Sequence, residues 1–148
     1  MKVGVASDHA GVALKAEARD WLREHGHDVE DLGPTDTTSV DYPDYAAKVA
    51  AGVSKGIFER GVLVCGSGVG MSIVANKFKG VRAALCTNEF MARAARGHND
   101  ANVLCLGARV IGIDMAIGIV EAFFGAPFGG GRHQRRVDKI AALDKGEP

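Results

Sequence analysis

The sequence predicts a single-domain α/β sandwich of three layers, built on a five-stranded parallel sheet. Three observations predict it. Short β-branched runs alternate with segments of helical apolar spacing along the chain, the pattern of successive βαβ units. At 148 residues the chain suits one domain with a core of its own. One run, GVLVCG at 61–66, is apolar throughout, which suits a strand buried on both faces.

KVGVAS (2–7) opens the chain as a first strand. AGVALKAEARDWLREHG (10–26) places apolar residues at 10, 13, 14, 18, 21 and 22, a helical spacing, and Gly26 is a suitable stop. HDVEDL (27–32) is a second strand, followed by the loop GPTDTTSVDYP (33–43). The alanine-rich DYAAKVAAGVSKG (44–56) is a helix, and GVLVCG is the third strand. MSIVANKF supplies a helical turn or two after the glycines. VRAALCT (81–87) and NVLCLG (102–107) are strands four and five, separated by the helix EFMARAARGH. DMAIGIVEAFFG (114–125) is a further helix. GAPFGGG breaks the chain before a basic-to-amphipathic C-terminal helix over 131–145. No repeat, low-complexity tract or second domain is visible, so residues 1–148 read as one Rossmann-like domain.

Eighteen Lys and Arg balance eighteen Asp and Glu, which gives no reason to expect a nucleic-acid or anionic-membrane partner. The few aromatics are not interleaved with basic residues, which weighs against single-strand binding. Asp8 and His9 come too early for a signal peptide, and no apolar run approaches the roughly 18 residues of a membrane span. A soluble, cytoplasmic protein is expected. Cys65, Cys86 and Cys105 lie in strand-like runs without C-x-x-C spacing, which weighs against zinc and against a disulfide framework.

The stretch LVCGSGVGMSIVANK (63–77) runs a strand into a glycine-rich turn. Gly66, Gly68 and Gly70 let backbone approach a ligand, and a helix after them aims free N–H groups at an anion. The match to a dinucleotide fingerprint is weak because Met71 stands where a glycine belongs; Glu89 is the only distal acid on offer, and no G-x-x-x-x-G-K-[ST] loop occurs. A lone strand cysteine is most often a small buried hydrophobe, and Cys86 and Cys105 read that way. Cys65 differs in position. It ends its strand, precedes the N–H cradle, and can share a crevice with Asp8 and His9 at the end of strand one. Tyr42 and Arg109 are placed to line that crevice.

His98 and Asn99 follow a helix and precede a strand, which puts them at the amino end of the sheet, opposite Cys65. A helix C-cap explains them equally well: His suits the negative dipole end and Asn tolerates the left-handed conformation. Arg132, Arg135 and Arg136 open the last helix, where cations oppose the dipole. A solvated basic face is the ordinary explanation of such a run. Arg132 and Arg136 nevertheless share a face, as bidentate phosphate binding requires. If these groups assist Cys65, they do so more readily across a twofold dimer with shared sites.

SDHAG (7–11), DYPDYA (41–46), CGSGVGMSIVANK (65–77), GHNDANVLCLGARVIG (97–112) and GGRHQRRV (130–137) together resemble the type B ribose-5-phosphate isomerases, grouped with galactose-6-phosphate isomerase subunits. The similarity runs through five motifs in order, from about residue 2 to about 140. It implies an aldose–ketose isomerase that needs no cofactor and no metal, acts on a small phosphorylated sugar, and assembles as a homodimer with shared sites, sometimes paired into tetramers. By resemblance, Cys65 is the enediolate-forming base. Met71 occupies the position where another branch carries a glutamate. Ser67 helps stabilise the enediolate, and Asp8 and His9 bind sugar. His98 opens the furanose ring, Asn99 steadies the intermediate, and Arg109, Arg132 and Arg136 bind phosphate, with His9 as a helper. Allose 6-phosphate, galactose 6-phosphate or a tetrose 4-phosphate are alternative substrates for the same chemistry. A non-catalytic nucleotide-binding module is the alternative outside it.

Overall fold

A computed structural model of the chain describes residues 1–146. Five strands, β1 (Lys2–Ser7), β2 (Asp28–Asp31), β3 (Arg60–Cys65), β4 (Ala83–Leu85) and β5 (Val103–Gly107), alternate with helices. The helices are α1 (Val12–Glu24), α2 (Tyr42–Ser54), α3 (Val69–Ala75), α4 (Glu89–Asn99), α5 (Ile113–Gly125) and α6 (Arg132–Leu143), with a 3-10 turn at His9–Gly11 before α1. All strand pairs are parallel, in the order β2-β1-β3-β5-β4.

The order and the right-handedness of parallel crossovers dictate the layers. The chain moves one way from β1 to β2, then back past β1 to β3, so α1 and α2 must cover opposite faces. The next two crossovers repeat the alternation with α3 and α4. Two cores result. Val3, Val5, Val62, Val64, Leu104 and Leu106 face α1, α4 and α5; Ala6, Leu63, Cys65, Val103 and Cys105 face α2 and α3. The period-2 alternation of strands produces this split, and it puts the Cys65 side chain on the α2/α3 side. Each such buried aliphatic side chain contributes about 1.5–3 kcal/mol, enough for the sheet to hold strained loops at its edge.

Several boundaries differ from the sequence reading. Tyr42 begins α2 instead of sitting in a loop, because Pro43 lies in the first turn, where its missing N–H costs nothing. β4 is only three residues long, since it pairs with β5 alone at the sheet edge. α4 continues through Asn99, and Asp100 takes the left-handed position at φ 47°. His27 is half-buried against Phe124, with its Nδ1 enclosed and unpartnered among the described residues. No helix among the described residues is long and apolar enough to cross a membrane.

Candidate active site

β1 and β3 are neighbours whose connections leave in opposite directions, so a crevice opens at their carboxyl ends. Asp8 and Cys65 terminate those strands. The crevice has a volume of about 560 Å³, within the range of small-molecule sites. Of the residues expected there, Asp8, Tyr42, Cys65, Gly66, Ser67, Gly70 and Arg109 line it, whereas His9 and Gly68 are not among its lining residues. Val69, Ile73 and Val110 line it as well; sequence reasoning missed them because apolar residues on a short helix and in the turn after β5 read as core.

Cys65 is 5% exposed, and its Sγ accepts the Gly68 amide at 3.1 Å. Cys86 and Cys105 are buried at 1% and 0%. Burial pushes the Cys86 thiol up to about 11 and raises Cys105 too, the latter helped by the neighbouring cysteines. Those two are core residues, as expected.

The glycine turn holds the cradle shape. Gly68 has φ 79° and caps α3. A Cβ there would lie 2.5 Å from Leu85 Cδ1 and 2.9 Å from the Leu106 carbonyl carbon, so only glycine fits. The Ser67 hydroxyl faces solvent and accepts the Val69 amide at 3.2 Å. The amides of Ser67, Gly70 and Met71 have no protein acceptor among the described residues, which leaves donors pointing out of the first turn. Gly70 is small because Tyr42 lies on it: a Cβ would meet the phenol ring at 2.7 Å. Met71 is fully buried and does not reach the crevice.

Asp8 is spent locally. Its Oδ1 accepts the Ala10 and Gly11 amides at 2.9 and 3.2 Å, which caps the turn and fixes the other oxygen beside the crevice. His9 Nδ1 accepts the Val40 amide at 3.2 Å, so its Nε2 carries the proton. Arg109 is exposed, its guanidinium lies over Gly66, and it makes no ion pair among the described residues.

His98, Asn99, Arg132 and Arg136 lie elsewhere. Cys65 pairs in register with Gly107, whereas His98 and Asn99 precede Val103 at the other end of β5. The strand between spans about 13 Å. His98 stacks on His133 of α6, with ring centroids 4.4 Å apart. Arg132, Arg135 and Arg136 are exposed beside it, without carboxylate partners among the described residues. One chain therefore carries two separate clusters: a thiol with an amide cradle, and an imidazole with guanidinium groups. A second hollow of about 390 Å³ borders Asn99, Arg82, Leu143 and Asp144, and no thiol, hydroxyl or imidazole among the described residues lines it. No group of three or more His, Cys, Asp or Glu side chains able to hold a metal occurs among the described residues.

A thiol held by an amide at a switch-point crevice, with an arginine at its mouth, suits a small anionic metabolite. Comparison with known proteins narrows the class. The family model for Ribose/Galactose Isomerase matches residues 3–140, and the chain belongs to that family. Ribose-5-phosphate isomerase B of Escherichia coli (strain K12) is 46% identical over 144 residues, covering 97% of each chain. The solved ribose-5-phosphate isomerase B of Clostridium thermocellum superposes with a TM-score of 0.96 at 51% identity, over 99% of each chain. That of Mycoplasma genitalium, with bound ribulose-5-phosphate, superposes with a TM-score of 0.94 at 46% identity, over 97% of this chain and 96% of its own.

Proposed function

We propose that this chain interconverts ribose 5-phosphate and ribulose 5-phosphate through an enediolate, as a cytoplasmic homodimer whose sites draw on both subunits. The observation that carries the reading is the Cys65 sulfur: at the end of β3, on the crevice wall, with the Gly68 N–H donated to it. An N–H aimed at sulfur is the contact a thiolate needs.

The sugar ring opens first. His98 of a second copy takes the anomeric hydroxyl proton and returns one to the ring oxygen, a task suited to an imidazole, whose two nitrogens can accept and donate a proton. The Cys65 thiolate then removes the C2 proton. The C2 electron pair forms the C1–C2 double bond, and negative charge moves to O1. The free amides of Ser67, Gly70 and Met71 and the Ser67 hydroxyl receive that charge; one such donor is typically worth about 3 kcal/mol. Protonation at C1 by Cys65 and transfer of the O2 proton to O1 leave a ketone at C2. Arg109 with Arg132 and Arg136 of the second copy hold the phosphate, so remote binding energy fixes the reacting carbons. Asp8, His9 and Tyr42 position the hydroxyls, Asn99 of the second copy steadies the intermediate, and Gly66, Gly68 and Gly70 let the backbone approach the sugar.

Two assays test this. Alkylation by iodoacetamide should abolish isomerisation with a single adduct on Cys65, because it alone of the three thiols lines the crevice, and substrate should protect. Isomerisation that survives full alkylation of Cys65 would remove the thiol from the mechanism, and ATP or NAD binding with no isomerisation at all would replace the enzyme by a nucleotide-binding module. The family's breadth, ribose and galactose, favours a hexose 6-phosphate as the second candidate. A kcat/KM series over pentose, hexose and tetrose phosphates ranks them.

A further inference from the structure

His98 is exposed, and neither of its ring nitrogens makes a hydrogen bond among the described residues. Histidines that move protons are usually oriented by a hydrogen bond on the second nitrogen. Here a flat contact stands in that place. The His133 ring lies parallel to His98, at 10° between planes and 4.4 Å between centroids.

The backbone on both sides of the stack is held. The Gly129 amide donates to Gly97 O at 2.9 Å, one residue before His98. The His133 amide donates to Gly130 O at 3.0 Å, through a turn in which Gly130 and Gly131 have φ of 61° and 55°. Gly129 sits so close that a Cβ there would be 3.0 Å from Gly97 O and 3.4 Å from His133 Cδ2. Partial burial first, then His98, Arg132 and Arg136, hold His133 below its ordinary value, so at neutral pH it offers an uncharged face.

We propose that His133 is the positioning residue for His98. It fixes the plane of the imidazole, and hence the direction in which its nitrogens exchange protons, by stacking and not by touching the sugar. The inference rests on the reading that His98 opens the sugar ring.

The test compares His133→Ala and His133→Phe, with His98→Asn as reference. The substrates are ribose 5-phosphate, which is cyclic, and a tetrose 4-phosphate, whose O4 is esterified and cannot close a furanose. His133→Ala should lower kcat on ribose 5-phosphate by about ten- to a hundredfold, with KM and the tetrose rate nearly unchanged. His133→Phe, which stacks but does not titrate or donate, should restore most of the loss. The upfield ring-current shift of the His98 protons in NMR should vanish in His133→Ala and persist in His133→Phe. If the tetrose turns over too slowly to read, the phenylalanine rescue and the NMR shift decide. A rise in KM on both substrates with kcat intact would make His133 a phosphate ligand and overturn the proposal. So would a phenylalanine variant no better than alanine, or an alanine variant as active as the parent. Unchanged ribose turnover in His98→Asn would instead remove the ring-opening role itself, whatever His133 does.

Discussion

At the residue scale the decisive contrast is among three cysteines. Cys86 and Cys105 are raised thiols sealed in the core, whereas Cys65 borders the crevice and holds an amide. Cys65→Ala should cut kcat by about 10²–10⁴-fold, the usual range for removing a general base, and abolish solvent-deuterium exchange at C2. Ribose 5-phosphate binding, read by calorimetry, should persist because the arginines are untouched. Exchange continuing at the parent rate would exclude the thiol as base. Position alone marked Cys65 in the sequence: the end of an all-apolar strand against a glycine turn. Nothing in the sequence marked Val69, Ile73 and Val110, because an apolar side chain on a crevice wall and one in a core are the same letter. Asp8 was legible as a residue of the crevice wall, but its use as a cap for the next turn needed coordinates.

At the element scale two fastenings hold the site. Gly68→Ala should destabilise the chain by about 1–3 kcal/mol, since a left-handed φ and two close contacts must be accommodated. It should also lower kcat, because the Cys65 donor moves with it. Urea midpoints and turnover, measured together, check both. The second fastening ties α1 to β2. Lys15, 2% exposed, donates to Asp31 Oδ1 at 2.8 Å and to Pro34 O at 2.6 Å, while Arg19 reaches Asp31 Oδ2 at 2.9 Å. Burial alone would raise the Asp31 carboxyl, but Lys15, the Gly33 amide and Arg19 together hold it below its ordinary 3.8. The stability it contributes is therefore complete above that pH and fades as pH falls through the folded value. Asp31→Asn should cost about 3–5 kcal/mol at neutral pH, because Lys15 is left buried without its partner. The gap from the parent should close in acid, as unfolding midpoints across pH will read. The alternation of strands and helices was plain in the sequence because period 2 and period 3.6 leave different apolar patterns. The order β2-β1-β3-β5-β4 was not, since no strand carries a mark of which neighbour it pairs with. The Lys15–Asp31 pair was equally hidden: its members sit 16 residues apart in segments that read as an amphipathic helix and a strand.

At the scale of the whole molecule, the Cys65 crevice and the His98 cluster lie at opposite ends of the sheet. If they combine across a twofold axis, Cys65→Ala and His98→Asn are each nearly inactive, yet a mixture is not. Subunit exchange at equal concentrations gives hybrids in half of the dimers, each with one intact site, so about a quarter of parental activity should return. A mixture no more active than its components would return both functions to a single subunit. The packing of α6 points the same way. Val137 is its one buried residue, while Ile140 and Leu143 stay exposed. The glycine turn carries a last consequence. Position 107 has no room for a side chain, since a Cβ would lie 2.6 Å from Ser67 O, and position 68 has none either. The turn after Cys65 is thus clamped between two backbones and has no slack to be remodelled. The run 35–41, exposed except for half-buried Val40, meets His9 next to the crevice residue Asp8 and is under no such clamp. Which carbohydrate is accepted can therefore drift, by loop exchange, while the way its hydrogen is moved stays the same.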